Sequence, residues 1–309
     1  MRKAALSAIE SLVEKDDRVV FIGSDLGAGT MSELRSRYPS RVLMEGIAEQ
    51  HIVSFAAGLA LEGFIPYVHT IATFLTRRAL EQIVVDVALQ GLPVRLLGAG
   101  GGMVYAPLGP THQAIDDFAL MRAIPGMSVI APADPLEMRA MLTLLLENLT
   151  PAYIRIAKGG EPDITSSLPD LVFGKMRPVR RGEDLAIVTT GALLHECVTA
   201  VDRLRGDGIK VSLAHFPFVA PLDDEGLLLL AREHSEILVV EEHLPHGGLA
   251  TAIRDTLSHH NVHTRVHRSS LPNAYADRYG SQSEHLQLHS LDSAGVEAKV
   301  RGIRDSYNK

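Results

Sequence analysis

The chain has 309 residues, close to twice the roughly 150 of a typical domain, and 46% hydrophobic with 22% charged residues excludes a disordered, fibrous or repetitive protein. Thirty Lys plus Arg against 37 Asp plus Glu give a formal net charge of -7, and no basic block interrupts the pattern, which excludes nucleic acid as the main partner. A single cysteine, Cys197, forms no internal disulfide and no Cys-rich metal site, no run reaches the roughly 18 to 20 apolar residues that span a bilayer, and the basic start at Arg2 and Lys3 runs into Glu10, Glu14, Asp16 and Asp17 without the apolar core of a secretory signal. The expectation is a reducing, cytoplasmic setting, no membrane and a small-molecule ligand.

In chain order, residues 2–15 read as a helix, 18–23 as a strand, 46–61 as a helix and 65–70 as a strand. Residues 73–90 read as one long helix ended by Gly91, and 94–97 as a strand that runs into the glycine-rich stretch 98–102, itself expected to be a flexible strand-end loop. A strand at 127–131 precedes the clearest helix start: Asp134 as N-cap, Pro135 at the first helical position and Glu137 three residues after the cap. A strand at 152–157 closes this half. Periodicity then fades into Gly, Pro and Ser, as in a linker. Strands at 185–190, 210–215 and 237–241 alternate with helices at 193–204, 223–234 and 248–257. The chain is therefore expected to be α/β, with two doubly wound domains, each a mainly parallel sheet with helices on both faces. The boundaries are 1–165, a linker at 166–182, and 183–309.

The most informative stretch is Met44-Glu45-Gly46-Ile47-Ala48-Glu49-Gln50-His51. Here a loop enters a helix whose small and apolar residues imply close burial, yet Glu49 sits in the first turn. Alone, such a Glu is a solvated residue favouring the positive helix end. The string, however, resembles the glutamate-bearing segment of the transketolase family of thiamine diphosphate enzymes, deoxyxylulose-phosphate synthase included, and further matches follow in order. Ser24-Asp25-Leu26 resembles the family's Asp-Leu turn, Thr73-Phe74-Leu75-Thr76-Arg77-Arg78 its cofactor-stacking segment, and Gly109-Pro110-Thr111-His112-Gln113 its substrate-facing histidine motif. Val240-Glu241-Glu242-His243 and Gly247-Gly248-Leu249 are similar to its C-terminal domain.

The resemblance implies the site residues. Thiamine chemistry needs a carboxyl at the pyrimidine nitrogen N1', and an apolar pocket suits a carboxyl that shares a proton; Glu49 takes that place, with catalytic and cofactor-binding roles. Phe74 would stack on the aminopyrimidine, with Asp25, Leu26 and Arg77 as further cofactor-binding residues. His112 would move protons at the substrate, and Arg155 and Arg2 would hold a phosphate or sulfonate in their guanidinium forks. Against these stand plainer readings: a core Phe, a surface Arg77 and a loose terminal charge at Arg2.

Departures from the family pattern are equally informative. Sugar transketolases carry a hydroxyl-reading histidine and an acidic residue where this chain has Gly100 and Leu108, so the substrate is expected not to be a standard pentose phosphate. Gly206-Asp207-Gly208 imitates the start of the diphosphate motif, but no Asn pair follows, and it reads as a turn. His259, His260, His263 and His267 lack a carboxylate or Cys to complete a metal set and read as solvated surface. With no diphosphate motif, the resemblance implies the C-terminal subunit of a split transketolase that moves a two-carbon ketol unit from a ketose-like donor to an aldehyde. An N-terminal partner chain would hold Mg2+ and the diphosphate in an α2β2 assembly. The alternatives are the β subunit of a 2-oxoacid dehydrogenase E1, a deoxyxylulose-phosphate-synthase-like carboligase of secondary metabolism, and a non-catalytic binding paralogue.

Overall fold

The structure, a computed structural model, describes residues 1–26, 28–157, 159, 161–165 and 170–306. It begins with α1 (Arg2–Lys15), β1 (Val19–Gly23), α2 (Ser32–Arg37), β2 (Val42–Met44), α3 (Glu49–Leu61) and β3 (Ile65–Ile71). α4 (Leu80–Gln82) lies between the π-helical segments Phe74–Arg78 and Ile83–Ala88, and β4 (Arg95–Ala99), α5 (Asp117–Arg122), β5 (Ser128–Ile130), α6 (Pro135–Glu147) and β6 (Ala152–Ile156) follow. The later elements are β7 (Arg177–Arg180), β8 (Ala186–Thr189), α7 (Leu194–Gly206), β9 (Ser212–His215), β10 (Phe218–Ala220), α8 (Asp224–Glu233), β11 (Glu236–Val240), α9 (Leu249–His259), β12 (Arg265–Ser269), α10 (Gln282–Leu288) and α11 (Ser293–Asp305).

The chain divides into two compact units, Met1–Gly101 with Leu120–Phe173, and Gly102–Ala119 with Gly174–Lys309. In the first, strands run β5-β6-β4-β3-β1-β2 and every neighbouring pair is parallel. β1, β4, β5 and β6 are buried along their whole length, as a parallel sheet covered on both faces requires. The segments that carry the candidate residues leave the carboxyl ends of β1, β2 and β3, where open α/β sheets place their crevice. In the second unit the order is β12-β11-β8-β9-β7, parallel except for β7, which runs antiparallel to β9. The fold is thus two mainly parallel sheets with helices on both faces.

Asp134 caps α6 as its sequence promised: Oδ1 accepts from the Glu137 amide at 2.8 Å, and Oδ2 from the Thr165 amide at 2.8 Å. Three readings differ. The linker stretch, of which residues 166–169 lie outside those described, contributes β7; as an edge strand it tolerates Pro178 and half-exposed arginines, so no alternation betrayed it. The glycine stretch is not a loose loop: residues 98–102 are buried, and the Gly100 amide donates to the Ile156 carbonyl at 2.8 Å.

The long helix at 73–90 is broken into wide and ordinary turns. Its buried residues Leu75, Ala79, Ile83 and Val87 recur every fourth position. At 3.6 residues per turn, a strict four-residue repeat drifts around an α-helix by about 40° at each step. Interposed i→i+5 turns hold the stripe on one face, and such turns gather at functional sites.

Candidate functional site

Glu49 is the first residue of α3, reached through a turn at Gly46, whose φ of +75° suits glycine. Its side chain is 1% exposed, packed where Ile52, Val53 and Ala56 are fully buried. Oε1 accepts from the Thr70 hydroxyl at 3.2 Å, and Oε2 accepts from Arg78 Nη1 at 2.5 Å. The Arg78 guanidinium carbon in turn lies 4.6 Å from the centroid of the Phe74 ring, a cation–π arrangement. Thr70 is the last but one residue of β3, and the π segment Phe74–Arg78 begins three residues after that strand, so one strand and the turn that follows it supply both partners of the carboxylate. A buried carboxylate and an aromatic face therefore share one planar, nitrogen-bearing cation.

Of the other expected residues, Leu26 is half-buried and its carbonyl accepts from His69 Nδ1 at 3.2 Å. His69 is fully buried, and burial pushes its pKa down to about 4, helped by the nearby positive charge of Arg2. The ring is thus neutral at physiological pH, with its proton on Nδ1. Asp25 is exposed and accepts from the Ser24 hydroxyl at 3.1 Å. Arg77 is half-buried, and Arg2 is half-buried as the first residue of α1. Arg155, on β6, is 9% exposed. Its stem crosses Gly101 so closely that a Cβ there would lie 2.2 Å from Arg155 Cγ; only glycine leaves the passage. Gly100, with φ of +82°, likewise occupies backbone space that an L side chain rarely adopts.

In the second unit, His112 closes the 3-10 turn Pro110–His112, half-buried, with Nδ1 3.0 Å from the Thr111 hydroxyl; Leu108 is 53% exposed. The Glu241-Glu242-His243 run is structural. Glu241 accepts from the Leu249 and Ala250 amides at 2.7 and 3.2 Å, which caps α9. Glu242 accepts from the Met103 amide at 2.7 Å and from Gln282. His243 accepts from the Ala119 amide at Nε2 and donates to the Leu244 carbonyl from Nδ1. Gly206 ends α7 and Gly208 has φ of +79°, the turn its sequence suggested. His267 pairs with Glu236 on the neighbouring strand. Among the described residues, no three His, Cys, Asp or Glu side chains gather into a metal-binding group, and no helix is long and apolar enough to cross a membrane.

The sequence analysis named Glu49, Phe74 and Arg77 but not Arg78, whose guanidinium contacts both Glu49 and Phe74. The available signal was spacing: Arg78 lies four residues after Phe74, the interval that sets side chains over one another along this segment.

The fold and these segments define an α/β chain of the thiamine-enzyme type, and the comparisons make the assignment specific. Residues 1–160 match the family model of the transketolase pyrimidine-binding domain, and residues 174–296 that of the transketolase C-terminal domain. The chain belongs to the transketolase family. It is 39% identical over 304 residues to 1-deoxy-D-xylulose-5-phosphate synthase of Syntrophotalea carbinolica, covering 96% of this chain and 47% of that protein. It is 37% identical to the synthase of Acidovorax ebreus, covering 94% and 45%. The chain spans about half the length of these curated relatives. Among solved structures, a split gene transketolase described as an inactive β4 tetramer aligns with a TM-score of 0.88 at 29% identity, over 97% of this chain and 96% of that one. A transketolase of Pichia stipitis in complex with sedoheptulose 7-phosphate shares the fold, with a TM-score of 0.83 at 21% identity over 99% and 46% of the two chains.

Proposed function

We propose that this chain is the C-terminal subunit of a split, thiamine diphosphate-dependent transferase that moves a two-carbon ketol unit from a ketose-like donor to an aldehyde acceptor. The observation that carries this reading is the single planar cation shared by Glu49 and Phe74. A buried carboxylate beside an aromatic face, already holding a flat group with N–H donors, fits an aminopyrimidine in shape and hydrogen bonding. When bound, the cofactor supplies the nucleophilic carbon that carries the transferred unit.

This chain's own residues would do the rest. Glu49 shares a proton with the pyrimidine nitrogen N1', while the Thr70 hydroxyl keeps Oε1 oriented. Phe74 offers the stacking face, and Asp25, Leu26 and Arg77 complete the wall. His112 moves a proton at the substrate oxygen, and Arg155 and Arg2 hold its phosphate or sulfonate. Gly100 and Leu108 provide no side-chain partner for sugar hydroxyls, which argues against a standard pentose phosphate. Residues 1–165 form the pyrimidine-binding domain and 183–309 the C-terminal domain, with 166–182 between them.

An N-terminal subunit would hold the diphosphate and Mg2+ in a cytoplasmic α2β2 assembly. Two features support such a partner: the exposed apolar side chains of Ile47, Leu61, Val85 and Leu89 in the first unit, and the likeness to a split gene transketolase described as an inactive β4 tetramer. The names of the curated relatives favour a second reading, a carboligase like deoxyxylulose-phosphate synthase. The test is to co-express the chain with a neighbouring frame that carries the Gly-Asp-Gly diphosphate motif and assay the complex. Two-carbon transfer to an aldehyde with poor xylulose 5-phosphate and ribose 5-phosphate turnover supports the first reading. Formation of 1-deoxy-D-xylulose 5-phosphate replaces it with the second, and transketolase-like pentose phosphate turnover removes the substrate assignment.

A further inference from the structure

Glu49 and Arg78 differ sharply in their surroundings. The carboxylate is 1% exposed and anchored by Thr70, whereas the Arg78 side chain is 44% exposed and reaches inward from the surface. Its guanidinium touches both groups that the proposed site would offer to an aminopyrimidine: the Glu49 carboxylate at 2.5 Å and the Phe74 ring face at 4.6 Å. Two flat groups cannot stack on the same area of one ring while bonding the same oxygen. A carboxylate that serves as ion-pair partner to a permanently charged guanidinium is also unsuited to sharing a proton with a ring nitrogen.

Building on the function proposed above, we propose that Arg78 is a resident stand-in for the cofactor's pyrimidine: it fills the place between Glu49 and Phe74 in the unloaded chain and swings toward solvent when the pyrimidine enters. The physical need is plain. A buried carboxylate stripped of its partner is strongly destabilising, so the unloaded chain requires a cation there and the loaded one requires its departure. The π segment Phe74–Arg78 provides the means, since it sets the guanidinium over the ring four residues earlier. The exposed part of the Arg78 side chain gives it a way out without unpacking the core. The consequence is an affinity reduced by the fraction of chains in which Arg78 is seated, so that the pyrimidine site of an unpartnered chain stays closed.

The test uses the whole chain without a partner and a probe that occupies only this subsite, 4-amino-5-hydroxymethyl-2-methylpyrimidine. Its binding is measured by calorimetry to the wild type, Arg78→Met and Glu49→Gln, alongside thermal unfolding. Arg78→Met is expected to bind the probe about ten-fold more tightly than the wild type and to melt at a lower temperature. In the wild type, the arginine side-chain NMR signals of Arg78 should be those of a held guanidinium and should become those of a free one on saturation with probe. Equal or weaker binding by Arg78→Met, or Arg78 signals unchanged by saturating probe, overturns the stand-in role. In that case, loss of binding in Glu49→Gln leaves the site reading intact. Binding by Glu49→Gln equal to the wild type, or no probe binding by any variant, overturns the site reading and the stand-in with it.

Discussion

Glu49, the first residue of α3, and Glu241, which follows β11 and reaches the first turn of α9, are both buried carboxylates, one in each unit, and they are held in opposite ways. Glu241 accepts from two backbone amides of α9; those donors belong to the helix and cannot leave. Glu49 accepts from two side chains, the Thr70 hydroxyl and the half-exposed Arg78 guanidinium. A carboxylate bonded to backbone is part of the scaffold, while one bonded to a side chain that can depart can change partners. The comparison separates two acidic residues that look alike in the sequence, each lying in a motif that resembles the same family.

The comparison breaks first at Glu241. Glu241→Ala leaves two buried amides of α9 without an acceptor, and charge-assisted bonds of this kind are worth about 3 kcal/mol together. Urea unfolding followed on a probe in the second unit should show that loss. A loss near zero would mean the cap is dispensable and the contrast with Glu49 is empty.

A second test concerns buried histidines, since His69 is kept neutral whereas His243 is fixed through both ring nitrogens. On unfolding, His69 takes up a proton anywhere below its ordinary value of 6.5, while the folded ring stays neutral down to about 4. Its contribution is therefore complete above 6.5, falls as pH drops toward 4 and levels off below, a loss of about 3 kcal/mol. Chemical denaturation at pH 7 and pH 4.5 should show a smaller acid loss in His69→Asn than in the wild type.

Gly101→Ala sharpens the account of the substrate side. Its Cβ would meet the Arg155 stem, with an expected cost of about 1 to 3 kcal/mol from overpacking, read as a lower thermal midpoint. The smallest effect belongs to α10. There Ser281 and Glu284 form a reciprocal cap, and Ser281→Ala should cost about 1 kcal/mol in the second unit and leave the first unchanged.

Much of this molecule was legible in its residues. Alternating apolar runs located most strands of both sheets, and the Asp134-Pro135-Glu137 signal placed the start of α6. The elements that escaped were short ones such as α2, β2, α5 and β10, the basic, proline-bearing edge strand β7, and the C-terminal run of β12, α10 and α11, whose 13-residue last helix buries only Val296, Val300 and Ile303. The broken helix after β3 escaped for a different reason. The four-residue spacing of Leu75, Ala79, Ile83 and Val87 is a signature of wide turns, yet it passes for ordinary helical amphipathicity. At the site, a resemblance carried by consecutive residues could point to Glu49 and Phe74. The bond from Arg78 to Glu49 joins residues 29 apart in sequence, and only the folded chain reveals it.

The central claim is that Glu49 is the carboxyl that engages the cofactor's pyrimidine, and it is tested most directly by thiamine diphosphate binding to the reconstituted two-chain complex, wild type against Glu49→Gln. Light scattering would verify that both assemblies are the same size. The account predicts that the wild-type complex binds the cofactor and turns over, while the Glu49→Gln complex assembles equally well but loses most of its turnover and binds more weakly. A Glu49→Gln complex that binds thiamine diphosphate and reacts like the wild type would contradict it.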